Sequence, residues 1–386
     1  MTHQFSAEQP EMGIMSAEFF AATFKRGVFQ PPPPPTGVAP FHLDLKSILP
    51  SPQYDNIVQS QRMVFHTVGD TGGVKSPQDQ TLVAMHMDGQ FNPATPQNNP
   101  AFFYHLGDVI YFYGEESEYN TQFYDPYKFY PAPIFAIPGN HDGDIDSTAT
   151  NPPTTLAAFM KHFCAPTPSV PALAEDSIRT TMTQPNPYWT LVTPVANFIG
   201  LYTNVPSGGE VHADQKDWFI NELKNADKER KTKALIVALH HPPYSMDANH
   251  GASTTMQKLL DDSFKAANVQ PDMVLSGHVH NYQRFTRKVG TRQIPYIVAG
   301  AGGYWHLHNI NVAKTVIKTP VASPFPDVTF EKYSEDRHGF MRITIDMKKR
   351  KILMEYFTVP RLQESWKAPE VLFDSFTLDL AKNKLK

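Results

Sequence analysis

Length, composition and charge set the first limits on this protein. With 386 residues, 41% of them hydrophobic, the chain can bury a large core, and its length alone would allow two domains. A formal net charge of −4 without a basic patch excludes nucleic acid as the main partner. No apolar run near the N-terminus is long enough for a signal peptide or a membrane span. We therefore expect no membrane partner and a cytoplasmic location, or a periplasmic or secreted one if a leader has been removed.

The first 60 residues are predicted to form an arm ahead of the main domain. They contain one predicted helix, Ala17 to Lys25, and then five consecutive prolines, Pro31 to Pro35. Such a run favours polyproline II, which acts as a semi-rigid spacer. A strap packed across the main domain is the favoured role, and a binding motif for an SH3-like partner is the alternative. Residues 61–386 are expected to form one domain.

Five apolar runs each predict a buried strand, and each is followed by a segment rich in oxygen and nitrogen donors. The runs are Val64–Val68, Ala101–Leu106, Ile134–Ile137, Leu235–Leu239 and Met273–Leu275. The segments that follow them are Gly69–Gly73, Gly107–Tyr111, Gly139–Asp142, His240–Pro243 and Gly277–His280. In an open α/β sheet, ligands bind beyond the carboxyl ends of the strands, so these segments can converge on one site. A domain boundary between them is therefore not expected.

Each segment has a simpler explanation when it is taken alone. Gly-Asp is common in turns, because Asp caps turns and Gly tolerates a positive φ. A single His near a strand end is usually a satisfied polar residue. Five such clusters, including Asn140-His141-Asp142 and His278-Val279-His280, are better explained by a pair of bound metal ions.

The rest of the chain shows weaker local patterns. Apolar spacing predicts helices at Leu156–His162 and Asp214–Glu229, a strand at Tyr188–Val192, and a hairpin within Met341–Phe357. Between the first helix and that strand, Cys164–Pro187 is rich in Pro, Thr and Ser and predicts a long loop that forms part of a substrate rim. The single cysteine excludes an intramolecular disulfide and is typical of a small buried hydrophobe.

The five donor segments, in this order, resemble those of the calcineurin-like metallophosphoesterases, and among them the purple acid phosphatases. The family's first segment is Asp-x-His or Asp-x-Gly, and here Gly72 stands where the general family has its histidine. Tyr111 stands three residues after Asp108, where purple acid phosphatases place a metal-bound tyrosinate. The resemblance implies an α/β fold, a four-layer α/β/β/α sandwich with two mixed β-sheets.

The resemblance also implies two metal ions that share one bridging carboxylate, Asp108. An Fe(III) ion would suit the set with a phenolate and hard oxygen ligands, which is Asp70, Asp108, Tyr111 and His280. A divalent ion, Fe(II), Zn or Mn, would suit the second set, which is Asp108, Asn140, His240 and His278.

Further histidines are implied in catalysis or in substrate binding. His141 would face the phosphate and protonate the leaving oxygen, with Asp142 accepting its ring N–H to fix the tautomer. His250, followed by Gly251, would line the substrate pocket and assist catalysis. His241 is either a phosphate contact or a packed loop residue. A structural role is expected for the histidines without a motif, which are His66, His86, His105, His306 and His308.

The expected function is binuclear metal-dependent hydrolysis of phosphate monoesters, with a small phosphorylated molecule as substrate and the oligomeric state left open. One alternative is a phosphodiesterase acting on cyclic nucleotides or phospholipid head groups, because the same metal core serves both reactions. An alternative of another class is a non-catalytic phosphate-binding protein.

Overall fold

The structure is a computed structural model that describes residues 33–146, 149–151, 153–204, 208–310 and 316–386. The predicted helix Ala17–Lys25 and the first two residues of the proline run lie outside these residues. The described strands are β1 His42–Asp44, β2 Arg62–Val68, β3 Phe103–His105, β4 Ile134–Ala136, β5 Trp189–Val192, β6 Ala196–Gly200, β7 Ala234–Leu239, β8 Met273–Ser276, β9 Tyr282–Val289, β10 Arg292–Ala299, β11 Val321–Ala322, β12 Val328–Ser334, β13 Gly339–Asp346, β14 Lys351–Thr358, β15 Val371–Asp379 and β16 Lys384–Leu385. The described α-helices are α1 Ser51–Ser60, α2 Pro77–Gly89, α3 Asn140–Gly143, α4 Ala157–Phe163, α5 Ala213–Asp227 and α6 Thr254–Ala267.

These strands form two mixed sheets. Sheet I has nine strands in the order β1-β5-β6-β7-β8-β10-β9-β12-β11, and sheet II has seven in the order β16-β15-β14-β13-β2-β3-β4. The centre of sheet I is parallel, from β6 through β7 and β8 to β10. In sheet II, β2, β3 and β4 are parallel and the remaining pairs are antiparallel. Each sheet therefore has one block of parallel strands that share a carboxyl end.

The two sheets pack face to face around an aromatic core. The ring of Phe198 in sheet I lies 5.0 Å from Phe65 and 5.5 Å from Tyr104 in sheet II, measured between ring centroids. Helices α5 and α6 cover the outer face of sheet I, where Phe219 and Phe264 are buried. Helices α2 and α4 cover the outer face of sheet II. The predicted four-layer α/β/β/α sandwich is confirmed.

Strand β7 is apolar along its whole length, and every residue of β2 after Arg62 is buried, because both faces of these strands are covered. In β7, Ile236 and Ala238 point into the core between the sheets. Their neighbours Leu235 and Val237 point outward, against the helices. Burial on both sides replaces the alternating pattern of a half-exposed strand, and it explains why continuous apolar runs predicted these strands.

The predicted boundary at residue 60 lies inside this core. Strand β1 pairs in parallel with β5 at the edge of sheet I, and α1 follows it. Four apolar side chains from this part of the chain are buried between the sheets, namely Leu43, Leu45, Leu49 and Ile57. Residues 42–60, which the sequence assigned to an arm, therefore belong to the packed structure.

The segment from Cys164 to Pro187 packs along β4, the edge strand of sheet II. The guanidinium of Arg179 donates to the carbonyls of Tyr127, Tyr130 and Ala132. The side-chain amide of Gln184 accepts from the Ala136 N–H and donates to its carbonyl, at 2.8 Å each. This loop occupies an otherwise open sheet edge. Its contacts thus differ from those of the predicted substrate rim.

The remaining local predictions agree closely with the structure. The predicted helix Asp214–Glu229 is α5, and the predicted hairpin is formed by β13 and β14, which pair in register from Gly339 with Thr358 to Asp346 with Lys351. Among the described residues, no helix combines the length and apolar character needed to cross a membrane.

Candidate metal centre

The five donor segments meet at one edge of the sandwich. Asp70 follows β2, Asp108 and Tyr111 follow β3, and Asn140 opens α3 after β4. From sheet I, His240 follows β7 and the His278/His280 pair follows β8. Both blocks of parallel strands therefore present their carboxyl ends to the same crevice, as expected for a ligand site in an α/β fold.

The first predicted metal set is brought together by the structure. The Tyr111 hydroxyl lies 3.4 Å from Nε2 of His280, and Oδ1 of Asp70 lies 3.6 Å from the same nitrogen. All three side chains are buried. A phenol, a carboxylate and an imidazole thus point at a common position, and this donor chemistry fits a hard, highly charged cation.

The second predicted set is equally compact. Oδ1 of Asn140 lies 3.1 Å from Nε2 of His240 and 3.0 Å from Nδ1 of His278. Oδ2 of Asp108 lies 3.2 Å from Nε2 of His240. Metal-binding atoms of Asp108, His240 and His278 all lie within 4.8 Å of one another. The mixture of oxygen and imidazole donors fits a divalent transition metal.

Asp108 lies where the two sets adjoin. The N–H of Asp70 donates to the Gly107 carbonyl at 2.9 Å, and the N–H of Thr71 donates to the Asp108 carbonyl at 3.2 Å. These bonds hold the segments after β2 and β3 side by side. A Cβ on Gly139 would lie 2.1 Å from Oδ1 of Asp108, so only glycine allows the β4 segment to approach this carboxylate.

The backbone fixes the ring orientation of two of the predicted ligands. Nδ1 of His240 lies 2.8 Å from the Leu106 carbonyl, and Nδ1 of His280 lies 3.1 Å from the His306 carbonyl. A carbonyl accepts only from an N–H, so in each ring the proton sits on Nδ1 and the lone pair on Nε2 faces the site. This arrangement is typical of metal-binding histidines.

The charge of the site favours a cation. Burial by itself lowers the pKa of His240, but the adjacent Asp108 carboxylate, with a smaller contribution from Asp70, raises that pKa to about 9. The carboxylates therefore attract positive charge strongly into a buried position. A bound metal ion would supply that charge in place of the proton.

The lack of a side chain at Gly72 leaves room for the Tyr111 ring at the site. A Cβ at Gly72 would lie 2.5 Å from Cδ2 of Tyr111 and 2.4 Å from Oε1 of Gln122. That Gln122 side chain accepts from the Tyr111 N–H at 2.9 Å and donates to its carbonyl at 3.1 Å. A histidine side chain at position 72 and the Tyr111 ring would therefore occupy the same volume. The glycine at position 72 and the tyrosine at position 111 thus go together for a steric reason.

Asp142 has a different environment from the predicted one. Its carboxylate accepts from the N–H groups of Gly139 at 2.8 Å, Val109 at 3.1 Å and Ile110 at 3.3 Å. Burial and the Asp108 carboxylate raise the pKa of Asp142 to about 7, against the opposing effect of the amides. The prediction that Asp142 accepts the His141 ring N–H is wrong, because its oxygens face the backbone behind the site.

The His141 ring is oriented by a carbonyl instead. Its Nδ1 lies 2.9 Å from the Phe112 oxygen, and its ring packs 4.5 Å from the Tyr111 ring. The backbone N–H of His141 also donates to Oδ1 of Asp108 at 2.9 Å. His141 is therefore held beside the predicted metal ligands by its main chain and by Nδ1.

The other two predicted substrate histidines also lie at the site. The His250 ring lies 4.3 Å from the His278 ring, and the His241 ring lies 4.4 Å from it on centroids. Nδ1 of His241 is 2.8 Å from the Thr203 hydroxyl. Both rings are buried. Because both rings lie beside that of His278, His250 and His241 remain candidates for contacts with a phosphate.

One histidine at the site, His308, was expected from the sequence to have only a structural role. His308 is fully buried, stacks on His280 at 4.3 Å, and has Nδ1 3.7 Å from Oδ1 of Asp247. Metal-binding atoms of His250, His280 and His308 lie within 4.8 Å of one another. The signal that could have found it was present, because His306 and His308 follow β10, a sixth strand with its carboxyl end in the crevice.

Comparison with known proteins agrees with this site. The family model described as calcineurin-like phosphoesterase matches residues 63–282, which is more than half of the chain. The chain therefore belongs to the calcineurin-like phosphoesterases. The matched segment contains every residue of the two predicted metal sets, and membership of the family implies a dinuclear metal centre.

Individual relatives show which proteins within the family this chain is similar to. The chain is 29% identical over 176 residues to Purple acid phosphatase 21 of Arabidopsis thaliana, covering 44% of this chain and 36% of the relative. It is 25% identical over 252 residues to tartrate-resistant acid phosphatase type 5 of Oryctolagus cuniculus, covering 62% and 73%. Purple acid phosphatase PPD1 from yellow lupin, Lupinus luteus, superposes with a TM-score of 0.55 at 18% identity, covering 83% and 54%. The predicted resemblance to purple acid phosphatases is confirmed, and the chain spans about a third of the length of the Arabidopsis relative.

Proposed function

We propose that this protein hydrolyses phosphate monoesters at a binuclear metal centre. The observation that carries the proposal is the convergence of seven buried donors from five strand ends into two adjoining sets, with Asp108 between them. Phosphoesterase chemistry is what the family is named for, and the relatives that match are phosphatases.

We assign Fe(III) to the set that contains the Tyr111 phenol, together with Asp70, Asp108 and His280. A phenolate and carboxylates are hard oxygen donors, which suit a trivalent ion. We assign Fe(II), Zn or Mn to the set of Asp108, Asn140, His240 and His278. When bound, the two ions would neutralise the charge of the phosphate and activate water for attack on phosphorus.

The residues around the metal positions supply the proton chemistry. His141 keeps Nδ1 on the Phe112 carbonyl, so its Nε2 is the atom that donates a proton to the leaving oxygen. The negative charge that develops on that oxygen makes the donation most valuable for poor leaving groups. His250 and His241 are assigned to the phosphate oxygens, because both rings contact His278 from outside the metal set.

The test uses the full chain loaded with iron and a divalent metal. We expect hydrolysis of p-nitrophenyl phosphate to exceed that of bis(p-nitrophenyl) phosphate by about tenfold or more in kcat/KM. Faster hydrolysis of the diester would favour the phosphodiesterase alternative. Two equivalents of bound metal with no turnover on a panel of esters would favour a non-catalytic phosphate-binding protein. Either result would overturn the proposal.

A further inference from the structure

The loop between β7 and α6, residues 240–253, carries two of the histidines assigned to the site. His240 opens the loop, and His250 lies near its end. The loop contains neither helix nor strand, so regular backbone hydrogen bonding does not fix the place of His250. The His250 side chain is nevertheless buried, and its ring lies 4.3 Å from the His278 ring. Other contacts must therefore set its position.

Asp247 binds the backbone of His250 directly. Its Oδ2 accepts from the N–H of Asn249 at 2.8 Å and from the N–H of His250 at 2.5 Å. An aspartate that accepts from the amides two and three residues later closes a tight turn of the chain. The other oxygen of this carboxylate, Oδ1, faces Nδ1 of His308 at 3.7 Å. Because Asp247 is itself buried, the turn fixes His250 relative to the interior of the protein.

Buried polar side chains anchor this turn on sheet I. The side-chain amide of Gln283, in β9, accepts from the N–H of Met246 at 2.7 Å and donates to Oγ of Ser245 at 3.0 Å. The same Oγ accepts from the N–H of Asp247 at 3.0 Å. Gln283 is fully buried and Ser245 is nearly so. A buried network of this kind favours one conformation, because rearrangement would leave polar groups without partners away from water.

The same network reaches the segment that carries His280. The amide of Gln283 also donates to Oδ1 of Asn281 at 2.9 Å, and the amide of Asn281 donates to the His308 carbonyl at 3.0 Å. The N–H of His308 in turn donates to the carbonyl of His280 at 2.9 Å. A continuous chain of hydrogen bonds thus joins the turn at Asp247 to a predicted metal ligand.

The loop after β10 supports the turn from another direction. The ring of His308 lies 4.8 Å from the ring of His250, measured between centroids. The backbone N–H of Ala248 donates to the carbonyl of Asn309 at 3.1 Å. The segment that carries His250 is therefore joined to this loop by a side-chain contact and by a backbone hydrogen bond.

We propose that Asp247 is a positioning residue, whose carboxylate holds the His250 ring beside the metal centre so that the ring can contact the phosphate. This inference rests on the proposed function, which assigns His250 to a phosphate oxygen. Asp247 acts through the turn and contacts neither the phosphate nor the metals. Gln283 and Ser245 keep the turn in place on sheet I. Without the carboxylate, the N–H groups of Asn249 and His250 lose their acceptor, and the ring loses its fixed position.

The experiment is a double-mutant cycle in the metal-loaded protein, with p-nitrophenyl phosphate as substrate. Asp247→Ala should lower kcat/KM roughly 10- to 30-fold with metal content unchanged. In a His250→Ala protein the same substitution should lower kcat/KM by less than about 2-fold, because the ring that it positions is already absent. Asp247→Asn keeps an acceptor oxygen for the same two N–H groups and should stay within about 3-fold of the wild type. Ser245→Ala should lower kcat/KM by about 3-fold, again only when His250 is present.

Asp379→Ala is the matched control. The Asp379 carboxylate closes the same kind of turn, since it accepts from the N–H groups of Ala381 at 3.1 Å and Lys382 at 3.0 Å. Strand pairing places Asp379 level with Arg62, the first residue of β2, whereas the metal centre follows the last residue of that strand. This variant should leave kcat/KM unchanged.

Two results would overturn the inference. One is an equal loss from Asp247→Ala with and without His250, which would mean that Asp247 acts on the fold or on the metals. The other is an unchanged kcat/KM in both Asp247→Ala and Ser245→Ala. If Asp247→Ala is insoluble, the cycle with Ser245→Ala decides by the same criterion.

Failure of the proposed function gives a different result. If the wild-type protein hydrolyses no ester, the proposed function fails by itself, and the inference is judged by calorimetric titration of the metal-loaded protein with inorganic phosphate. Asp247→Ala must then raise Kd for phosphate roughly 10-fold, and by less than about 2-fold in the His250→Ala protein. A wild-type protein that binds no phosphate would refute the inference as well.

Discussion

Asp108 is the residue that the two proposed metal sets share. Its carboxylate lies 3.2 Å from Nε2 of His240, and its segment is hydrogen-bonded to the segment of Asp70. We predict that Asp108→Asn removes activity and lowers the occupancy of both metals together, because an amide has one fewer oxygen with which to bridge. Asn140→Ala should mainly empty the divalent site. Elemental analysis of the purified variants measures how many metal ions each chain binds. Two metal ions per chain in Asp108→Asn would contradict the bridging role.

His141 is the second residue with a sharp expected effect. We predict that His141→Ala keeps both metals and lowers turnover by roughly 10²- to 10⁴-fold, the usual range for a missing acid–base group. The loss should be smaller for p-nitrophenyl phosphate than for alkyl phosphates, because a good leaving group needs less protonation. His212→Ala, at an exposed histidine, serves as the control. A uniform loss across leaving groups would instead assign His141 to substrate binding.

Tyr111 gives a prediction about the colour of the oxidised protein. If its phenolate binds Fe(III), the oxidised protein absorbs visible light by ligand-to-metal charge transfer, and Tyr111→Phe should abolish that band while part of the activity survives. Tyr304 provides a matched control, since its ring lies 4.3 Å from Tyr111 and 4.5 Å from His280 but is not assigned as a ligand. Tyr304→Phe should therefore keep the colour. A colourless wild type, after mild oxidation with iron present, would refute the phenolate assignment.

The sequence predicted single residues well where their chemistry is local. Asp70, Asp108 and His278 follow apolar runs within three residues, so their placement at strand ends required only the strand to be recognised. Their backbones have positive φ values of 57°, 52° and 68°, a strained conformation that is common at functional sites. The contacts of Asp142 depended on how the loops after different strands approach each other. No local pattern encodes that approach.

At the scale of elements, Asp142 holds the ends of β3 and β4 together. It accepts N–H groups from Gly139, Val109 and Ile110, which belong to the two segments that carry Asp108 and Asn140. We predict that Asp142→Ala lowers the free energy of unfolding by about 2–3 kcal/mol, because buried donors lose their acceptor. It should also weaken binding of both metals. Urea denaturation and metal titration measure the two effects.

The control for this variant is Asp125→Ala, whose carboxylate is exposed and pairs with Lys128 on the surface. Its effect on unfolding should stay within about 0.5 kcal/mol. If Asp142→Ala left stability unchanged and instead reproduced the leaving-group dependence expected for His141→Ala, the carboxylate would act on the His141 ring. That outcome would restore the interpretation made from the sequence.

The elements themselves could be predicted to different degrees. Strands β4, β7 and β8 could be predicted because burial on both faces makes them continuous or nearly continuous apolar runs. Strand β1 was missed, because its three residues, His42–Asp44, expose alternate side chains and carry no apolar run. Its place in sheet I depends on pairing with β5, which lies far along the chain.

At the scale of the whole molecule, the four-layer sandwich followed from the resemblance rather than from periodicity. Apolar runs indicated that strands exist, but the order of strands in sheets I and II places neighbours in space that are distant in sequence. The antiparallel extension from β13 to β16 and the return of β9 and β12 to sheet I could not be read from local pattern. Knowledge of a family fold supplied what spacing could not.

The N-terminal boundary gives the last prediction, which concerns the whole domain. Residues 42–60 bury four apolar side chains between the sheets, Leu43, Leu45, Leu49 and Ile57. At about 1.5–3 kcal/mol each, their removal costs as much as the entire stability of a typical domain, about 5–15 kcal/mol. We expect a protein that begins at Pro33 to unfold cooperatively, and one that begins at Arg62 to be insoluble or to lack a cooperative transition. Thermal unfolding of the two proteins measures this difference. A cooperative transition at the same temperature in both would show that the domain begins at residue 61, as the sequence predicted, and that β1 and α1 contribute nothing essential to the core.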